Sequence, residues 1–323
     1  MRGYQLLDYT GPSALRLTEL PIPEPQEDAV VVEVRAIGVN FPDVLITQGL
    51  YQLKPDLPFT PGSEIAGVVH QAPADSHWRV GERVTAFVWQ GGFAEYALVP
   101  SAHLVRIPEG MDFESAASLI VNHQTVYFGL SRRGRLQQGE HALILGAGGG
   151  IGSAGVQVAK GLGARVIAGV ASAGQVDVAR AAGADEVIIL GEGFSAEVLG
   201  LTDGQGVDLV LDPLGDWLFT EATRCLASEG RILIIGFAAG EIPTIKANRL
   251  LLRNISAVGV AWGATLSRDP AVLTDGATAL HRMFLAGSVR PLVGRMFGFD
   301  EIPAALDLLS RGEIPGKGVI TLA

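Results

Sequence analysis

The rhythm of apolar and polar positions changes once along this chain, near Asn122. Before it, β-branched runs at Ala29–Val39, Glu64–His70 and Arg83–Val88 are bounded by proline and glycine signals such as Pro21-Ile-Pro-Glu-Pro25 and Pro61-Gly62. Runs of that kind predict strands, and their spacing predicts a small, irregular barrel or sandwich. No helical periodicity is expected until about Asp112, which stands where it would cap a helix beginning Phe113-Glu-Ser-Ala-Ala-Ser-Leu-Ile120.

After Asn122 strand-like runs alternate with helical ones. Ala142–Leu145, Arg165–Val170, Glu186–Leu190, Val207–Leu211, Arg231–Gly236 and Ile255–Val260 read as strands, with helical segments between them at Gln175–Ala182, Phe194–Gly200 and Trp217–Ala227. Alternation at this spacing predicts βαβ units and a doubly wound parallel sheet. The continuous apolar character of the strands suits a sheet covered on both faces. Past Trp262 the alternation ends. A helix over Pro270–Ala286, a strand-like run over Arg290–Phe299, a helix near Ile302–Ser310 and a closing strand at Gly318–Leu322 are expected to pack back on the first domain. The expected division is therefore 1–121, 122–261 and a returning segment 262–323.

The most informative stretch lies at the start of the second part. An apolar run (Ala142–Leu145) leads into Gly146-Ala-Gly-Gly149-Gly150-Ile151-Gly152, followed by helical spacing of Val156, Val158, Ala159 and Leu162 up to Gly163. Strand, glycine turn and helix in this order form the first βα unit of a dinucleotide-binding fold. Glycine permits the tight turn, the approach of backbone to a pyrophosphate and the packing of helix on strand. The N–H groups at the new helix's start then meet the phosphate charge. The spacing here is GxxGxxG.

Charge and cysteine narrow the function classes. The 323 residues carry 34 acidic and 24 basic side chains, a net charge of −10, which argues against a nucleic-acid surface. The only basic cluster, Arg132-Arg133 with Arg135, reads as a solvated helix end. Cys225 stands alone in an apolar helical pattern, so no internal disulfide and no cysteine-based zinc site is expected, and the residue is read as core. The first residues lack the apolar segment of a secretion signal, and the nearly uncharged run 142–159 suits a nucleotide turn better than a membrane span. A cytoplasmic protein without membrane partners is expected.

At this point the residues resemble a known family, the zinc-free quinone oxidoreductase (zeta-crystallin-like) branch of the medium-chain dehydrogenases/reductases. The resemblance runs through Gly38-Val-Asn40-Phe-Pro-Asp43-Val, Gly49-Leu-Tyr51, Leu57-Pro-Phe59-x-Pro61-Gly62, Gly81-Glu-Arg83-Val, the glycine turn, Ala182-Gly-Ala-Asp185, Asp212-Pro-Leu-Gly215 and Gly230-Arg-Ile-Leu-Ile-Ile-Gly236-Phe237. It implies an α/β protein with a GroES-like β-rich domain and a Rossmann doubly wound parallel-sheet domain. It also implies a homodimer built by pairing the edges of the nucleotide-binding sheets.

Zinc-dependent relatives hold their catalytic metal through a cysteine and a histidine preceding a glutamate. At the matching places this chain has Asn40 or its neighbours, and Ser63 before Glu64. Zinc sites of this kind need cysteine or histidine there, and the six histidines show no ligand spacing, so no metal is expected. Without a Lewis acid the expected reaction is hydride delivery to an acceptor already electrophilic. An NADPH-dependent quinone reductase is the first reading and an NADPH-dependent enone or enoyl C=C reductase the alternative. A nucleotide-binding protein without turnover is the third reading.

The second strand ends Ala168-Gly-Val170-Ala-Ser172 with no acidic residue to hold a ribose 2′-hydroxyl. Ser172 could bond a 2′-phosphate, but Gln175 and Leu190 stand where the family often has lysine and tyrosine. The expectation is NADPH with weakened preference, NADH being possible. By resemblance, Asn40, Thr125, the Gly236-Phe237 backbone, Trp262 and Lys317-Gly318 would surround the nicotinamide, while Gly148, Gly149, Gly150, Ile151, Gly152, Ser172 and Gln175 would hold the rest of the cofactor. Asp43 and Tyr51 would line the side of a small electrophile, quinone or enone, with Tyr51 as proton donor or hydrogen-bond partner. Structural roles compete at several of these positions. Asn40 could simply cap the turn before Pro42, and Asp43 could be a structural acceptor. Tyr51 could pack under the Pro58–Pro61 turn, Trp262 could be core, and His123 could belong only to a helix start. Leu45 replaces a tyrosine frequent in the family and makes the acceptor side more apolar.

Overall fold

The structure is a computed structural model and describes residues 1–322. The chain separates into two compact units: Met1–Val121 together with the chain from Val293 onward, and Asn122–Leu292.

The first unit begins with an antiparallel pair, β1 (Arg2–Leu6) and β2 (Leu15–Glu19). It continues through β3 (Ala29–Gly38), helix α1 (Phe41–Thr47), β4 (Glu64–Gln71), β5 (Arg83–Phe87), β6 (Tyr96–Pro100), β7 (Leu104–Arg106) and the short helix α2 (Phe113–Ala116). Val30, Val31, Val32, Val34 and Ile37 of β3 are all buried, because β3 is paired on both edges and lies within the core. Asp112 caps α2 as expected, its carboxylate accepting the Ser115 N–H at 2.6 Å. Helix α1 was not anticipated. Its residues Val44, Leu45 and Ile46 form an apolar run without a polar face, and only the residues at its start announce it.

The second unit contains α3 (Gln124–Tyr127), β8 (His141–Leu145), α4 (Gly150–Gly161), β9 (Arg165–Val170), α5 (Val176–Ala181), β10 (Glu186–Ile189) and α6 (Phe194–Leu201). β11 (Val207–Asp212), α7 (Asp216–Cys225), β12 (Leu226–Ile234), α8 (Ala247–Arg253), β13 (Ser256–Gly259), α9 (Trp262–Leu266) and α10 (Ala271–Leu285) follow. Its six strands are ordered β10-β9-β8-β11-β12-β13 and all pair in parallel. The strand order reverses between β8 and β11, the point at which open α/β sheets bind ligands beyond their carboxyl ends. Cys225 is fully buried in α7, and burial pushes its thiol up to about 12.

The chain then returns as β14 (Val293–Gly298), α11 (Ile302–Ser310) and β15 (Lys317–Thr321). These complete the first unit's sheet, ordered β14-β15-β3-β4-β5-β7 with β6 also on β3. The return therefore begins at Val293 and not at residue 262. Helix α10 stays with the second unit because its buried stripe (Val272, Leu273, Gly276, Ala277, Leu280) packs on α3, and Gln124 donates its Nε2 to the Leu273 carbonyl. The end of strand–helix alternation marks where the sheet stops growing; which unit a helix joins depends on what its apolar face covers.

Candidate functional site

In the second unit the glycine turn has the geometry of a phosphate cradle. Gly146 has φ +65°, a left-handed conformation, as the chain leaves β8. A Cβ on Gly152 would lie 2.0 Å from the Gly146 carbonyl oxygen, so no side chain fits there. Gly149 precedes the first turn of α4, and no side chain caps that turn's N–H groups. A Cβ on Gly149 would meet nothing closer than 3.6 Å, which leaves the space above it open. Donors left uncapped beside open space at the positive end of a helix suit the pyrophosphate of a dinucleotide. Ile151 lies half-buried in the first turn of the same helix.

Beyond β9, Ser172 is exposed. Gln175 folds its side chain over the backbone of Gly148, where a Cβ would come within 2.6 Å of it, and its Oε1 accepts the Ala171 N–H at 3.0 Å. Its amide nitrogen is the donor that remains, and it brings no charge. Gly236 and Phe237 follow β12 at the same carboxyl edge, Phe237 being 38% exposed. Asp212 ends β11, and its Oδ1 accepts the N–H groups of Leu214 and Gly215, each at 2.9 Å. Burial pushes its carboxyl above the ordinary range. Trp262 opens α9 and is buried; Thr125 is half-buried on α3.

The first unit places Asn40, Asp43 and Lys317 in one buried network with two residues not anticipated as its members, Ser63 and Glu64. Lys317 donates its ammonium to Glu64 Oε2 at 2.6 Å and to Asn40 Oδ1 at 2.5 Å. Glu64 is fully buried and also accepts from Asn40 Nδ2 and from the Val121 N–H. Asn40 Nδ2 donates further to the Gly38 carbonyl, and the Asn40 N–H donates to Asp43 Oδ2. The Asp43 N–H in turn meets the Asn40 carbonyl. Ser63 Oγ donates to Asp43 Oδ1 at 2.8 Å.

Asn40 and Lys317, both expected beside the nicotinamide, are engaged in this network. Every polar group of Asn40 is already engaged, and the Lys317 side chain, 4% exposed, serves the network. Asp43 closes the start of α1, which Pro42 also favours. Burial pushes its carboxyl up to about 6, against the bonds from Ser63 and Asn40 and the charge of Lys317. Tyr51 packs against the core of this unit, and burial with the nearby Asp43 raises its phenol, so it keeps its proton at neutral pH. The signal that could have found the network is the presence of one acid and one lysine at the openings of β4 and β15, each followed directly by an uncharged run, Ile65–Val69 and Gly318–Ile320.

Among the described residues no three His, Cys, Asp or Glu side chains gather to hold a metal ion. The residues at the zinc-ligand places are an amide, a hydroxyl and a carboxylate already paired with an ammonium, and this donor set does not fit a zinc ion.

Comparison with known proteins decides the family. The family described as Zinc-binding dehydrogenase matches residues 150–275, and Alcohol dehydrogenase GroES-like domain matches residues 26–109. The quinone oxidoreductase-like protein 2 homolog of Nematostella vectensis is 36% identical over 296 residues, covering 90% of this chain and 81% of the relative. The chain belongs to the quinone oxidoreductase branch of the medium-chain dehydrogenases/reductases. A probable oxidoreductase from Mycobacterium abscessus superposes with a TM-score of 0.92 at 41% identity, covering 100% of this chain and 99% of the other. The quinone oxidoreductase of Thermus thermophilus, solved also as its complex with NADPH, gives 0.86 at 36% identity with full coverage of both chains. This is a branch of NAD(P)H-dependent oxidoreductases, and the two matched families fall on the two units just described. The glycine turn, Ser172 with Gln175, and Gly236-Phe237 follow the carboxyl ends of β8, β9 and β12 in the second unit.

Proposed function

We propose that this chain is a zinc-independent, NADPH-dependent reductase of quinones and similar small electrophiles. The observation that carries the reading is the open, uncapped glycine cradle at Gly149 in front of α4. NADPH, when bound, supplies the hydride. The first turn of α4 holds the pyrophosphate by its N–H groups, and Ser172 with the Gln175 amide meets the adenosine ribose through neutral donors. Preference for NADPH over NADH is accordingly modest. Thr125 and the backbone of Gly236-Phe237 orient the nicotinamide, and Trp262 packs beside them. Tyr51 keeps its proton at neutral pH and donates it to the acceptor as the hydride arrives. Asp43, bonded to Asn40 and through it to Lys317, lies near Tyr51, and none of the three touches the cofactor.

The assembly fits the same reading. β13 is an edge strand with Ser256, Ala257 and Gly259 exposed, and α8 exposes Leu251 and Leu252, 75% and 77% accessible. An exposed strand edge beside exposed leucines is the surface expected where two sheets join, so the protein is proposed as a homodimer. No helix among the described residues is long and apolar enough to cross a membrane, and a cytoplasmic enzyme is proposed.

The test is a fluorescence titration with NADPH and NADH, followed by NADPH consumption with 1,4-benzoquinone and with a 2-enal. Tighter binding of NADPH and faster turnover of the quinone are expected. Faster turnover of the enal would reassign the acceptor to activated alkenes, and binding without turnover of either would remove the catalytic reading.

A further inference from the structure

The helix that carries the glycine turn also carries a buried glutamine that ties together two distant segments of its own unit. Gln157 lies on α4 and is 2% exposed. Its Oε1 accepts the Arg290 N–H at 2.9 Å, and its Nε2 donates to the Arg290 carbonyl at 2.6 Å. A backbone N–H only donates and a carbonyl only accepts, so Arg290 determines which end of the carboxamide is oxygen. The same Oε1 lies 3.3 Å from Nε2 of His123. An amide oxygen only accepts, so that ring nitrogen carries a hydrogen.

His123 is 3% exposed and stands immediately before α3, two residues ahead of Thr125. The residue between them, Gln124, is anchored on α10, donating to the Leu273 carbonyl at 3.0 Å. Gly276 makes room for it: a Cβ there would lie 2.0 Å from Gln124 Oε1. The first turn of α3 is thus fixed from two sides by side-chain amides.

We propose that Gln157 is a positioning residue for the nicotinamide half of the cofactor. From the helix whose start takes the pyrophosphate, its carboxamide fixes His123, and with it Thr125, at a set place relative to that start. This rests on the reading above that the glycine turn takes the pyrophosphate and Thr125 meets the nicotinamide carboxamide. Replacing the amide by an apolar side chain of similar size removes the tie without touching either end of the ligand.

The test compares Gln157→Leu with the unaltered protein for two ligands: NADPH, and 2′-phospho-ADP-ribose, which lacks only the nicotinamide. Hydrogen exchange of the Arg290 amide reports the tie itself. In the variant that amide should exchange faster, affinity for the fragment should stay within about twofold, and affinity for NADPH should fall about tenfold, since small misplacements at a reacting end are costly. The emission of bound NADPH should fall with it. His123→Phe, which leaves the Arg290 bonds in place, should give the same selective loss and serves if Gln157→Leu does not fold. Equal losses for both ligands, or unchanged affinity for both despite faster exchange at Arg290, overturn the positioning role while leaving the cofactor site intact. If the unaltered protein binds neither ligand, the reading of the glycine turn fails and the positioning role with it.

Discussion

Asp43→Asn should make the first unit more resistant to urea at neutral pH and should flatten the pH dependence of its stability. Asp43 is fully buried, and its carboxyl titrates at about 6 in the folded protein, against an ordinary aspartate value of 3.8. The folded form thus holds the proton more tightly than the unfolded chain does. The favourable contribution is complete below 3.8 and is lost as the pH rises through about 6, so ionised Asp43 works against folding at neutral pH. At about 1.4 kcal/mol per pH unit, the separation amounts to ~3 kcal/mol, of which about 2 kcal/mol develops between about pH 4.5 and 7.5. Asparagine preserves the contacts: its Oδ1 can accept the Asn40 N–H, and its Nδ2 can donate to Ser63 Oγ. Below the titration the network holds one ammonium, Lys317, and one carboxylate, Glu64; above it a second negative charge is added with no second cation. Urea unfolding of both proteins, followed through Trp78 and Trp89 of this unit, should show the variant gaining on the parent by about 2 kcal/mol over that pH span. Parallel stability curves across the span would refute the reasoning.

Four further variants test the geometry. Gly152→Ala should lose nucleotide binding and cost about 2 kcal/mol of stability, because its Cβ would sit 2.0 Å from the Gly146 oxygen; Gly149→Leu should unfold at the parent's temperature yet fail to bind NADPH in titration. Lys317→Met should cost about 3 kcal/mol in urea unfolding by leaving buried Glu64 with only the Asn40 and Val121 donors, and adding Glu64→Gln should restore most of that loss. Gln175→Lys should raise the ratio of NADPH to NADH affinity about tenfold, with binding of NADPH becoming more sensitive to salt.

The strands expected in both units were legible as β-branched or apolar runs, and β3, β8, β9 and β11 match them to within a residue or so; β1, β2, β6 and β7 were not expected, because β1 and β2 mix polar with apolar residues and β6 and β7 are short. The glycine turn was legible because its chemistry is local: strand, turn and helix are consecutive. Helix α1 was not, since Val44-Leu45-Ile46 has no polar face and reads as a strand; the helical signal sat only in Asn40, Pro42 and Asp43. The boundary of the returning segment was misplaced for a related reason. The stripe on α10 announces that something is covered without saying what. The roles of Asn40 and Lys317 were least accessible, because Lys317 and Glu64 are 253 residues apart and no local pattern joins them.

That distant pair also bears on why a protein matched by a family described as zinc-binding is proposed to work without the metal. Glu64 lies at the start of β4 beside Ser63, and Asn40 lies just past the end of β3, the places where a metal's ligands would have to converge. Lys317 already supplies there the positive charge that a fully buried carboxylate requires, at hydrogen-bonding distance from both Glu64 and Asn40. A divalent ion among the same donors would face that ammonium at short range in a poorly screened interior, so metal and lysine are alternatives at one location. Because the lysine comes from the closing strand β15, its charge also ties the returning segment to the start of α1. The residue that would stand in for the metal's charge therefore also holds Asn40 at the start of α1, the helix whose Asp43 acts on Tyr51.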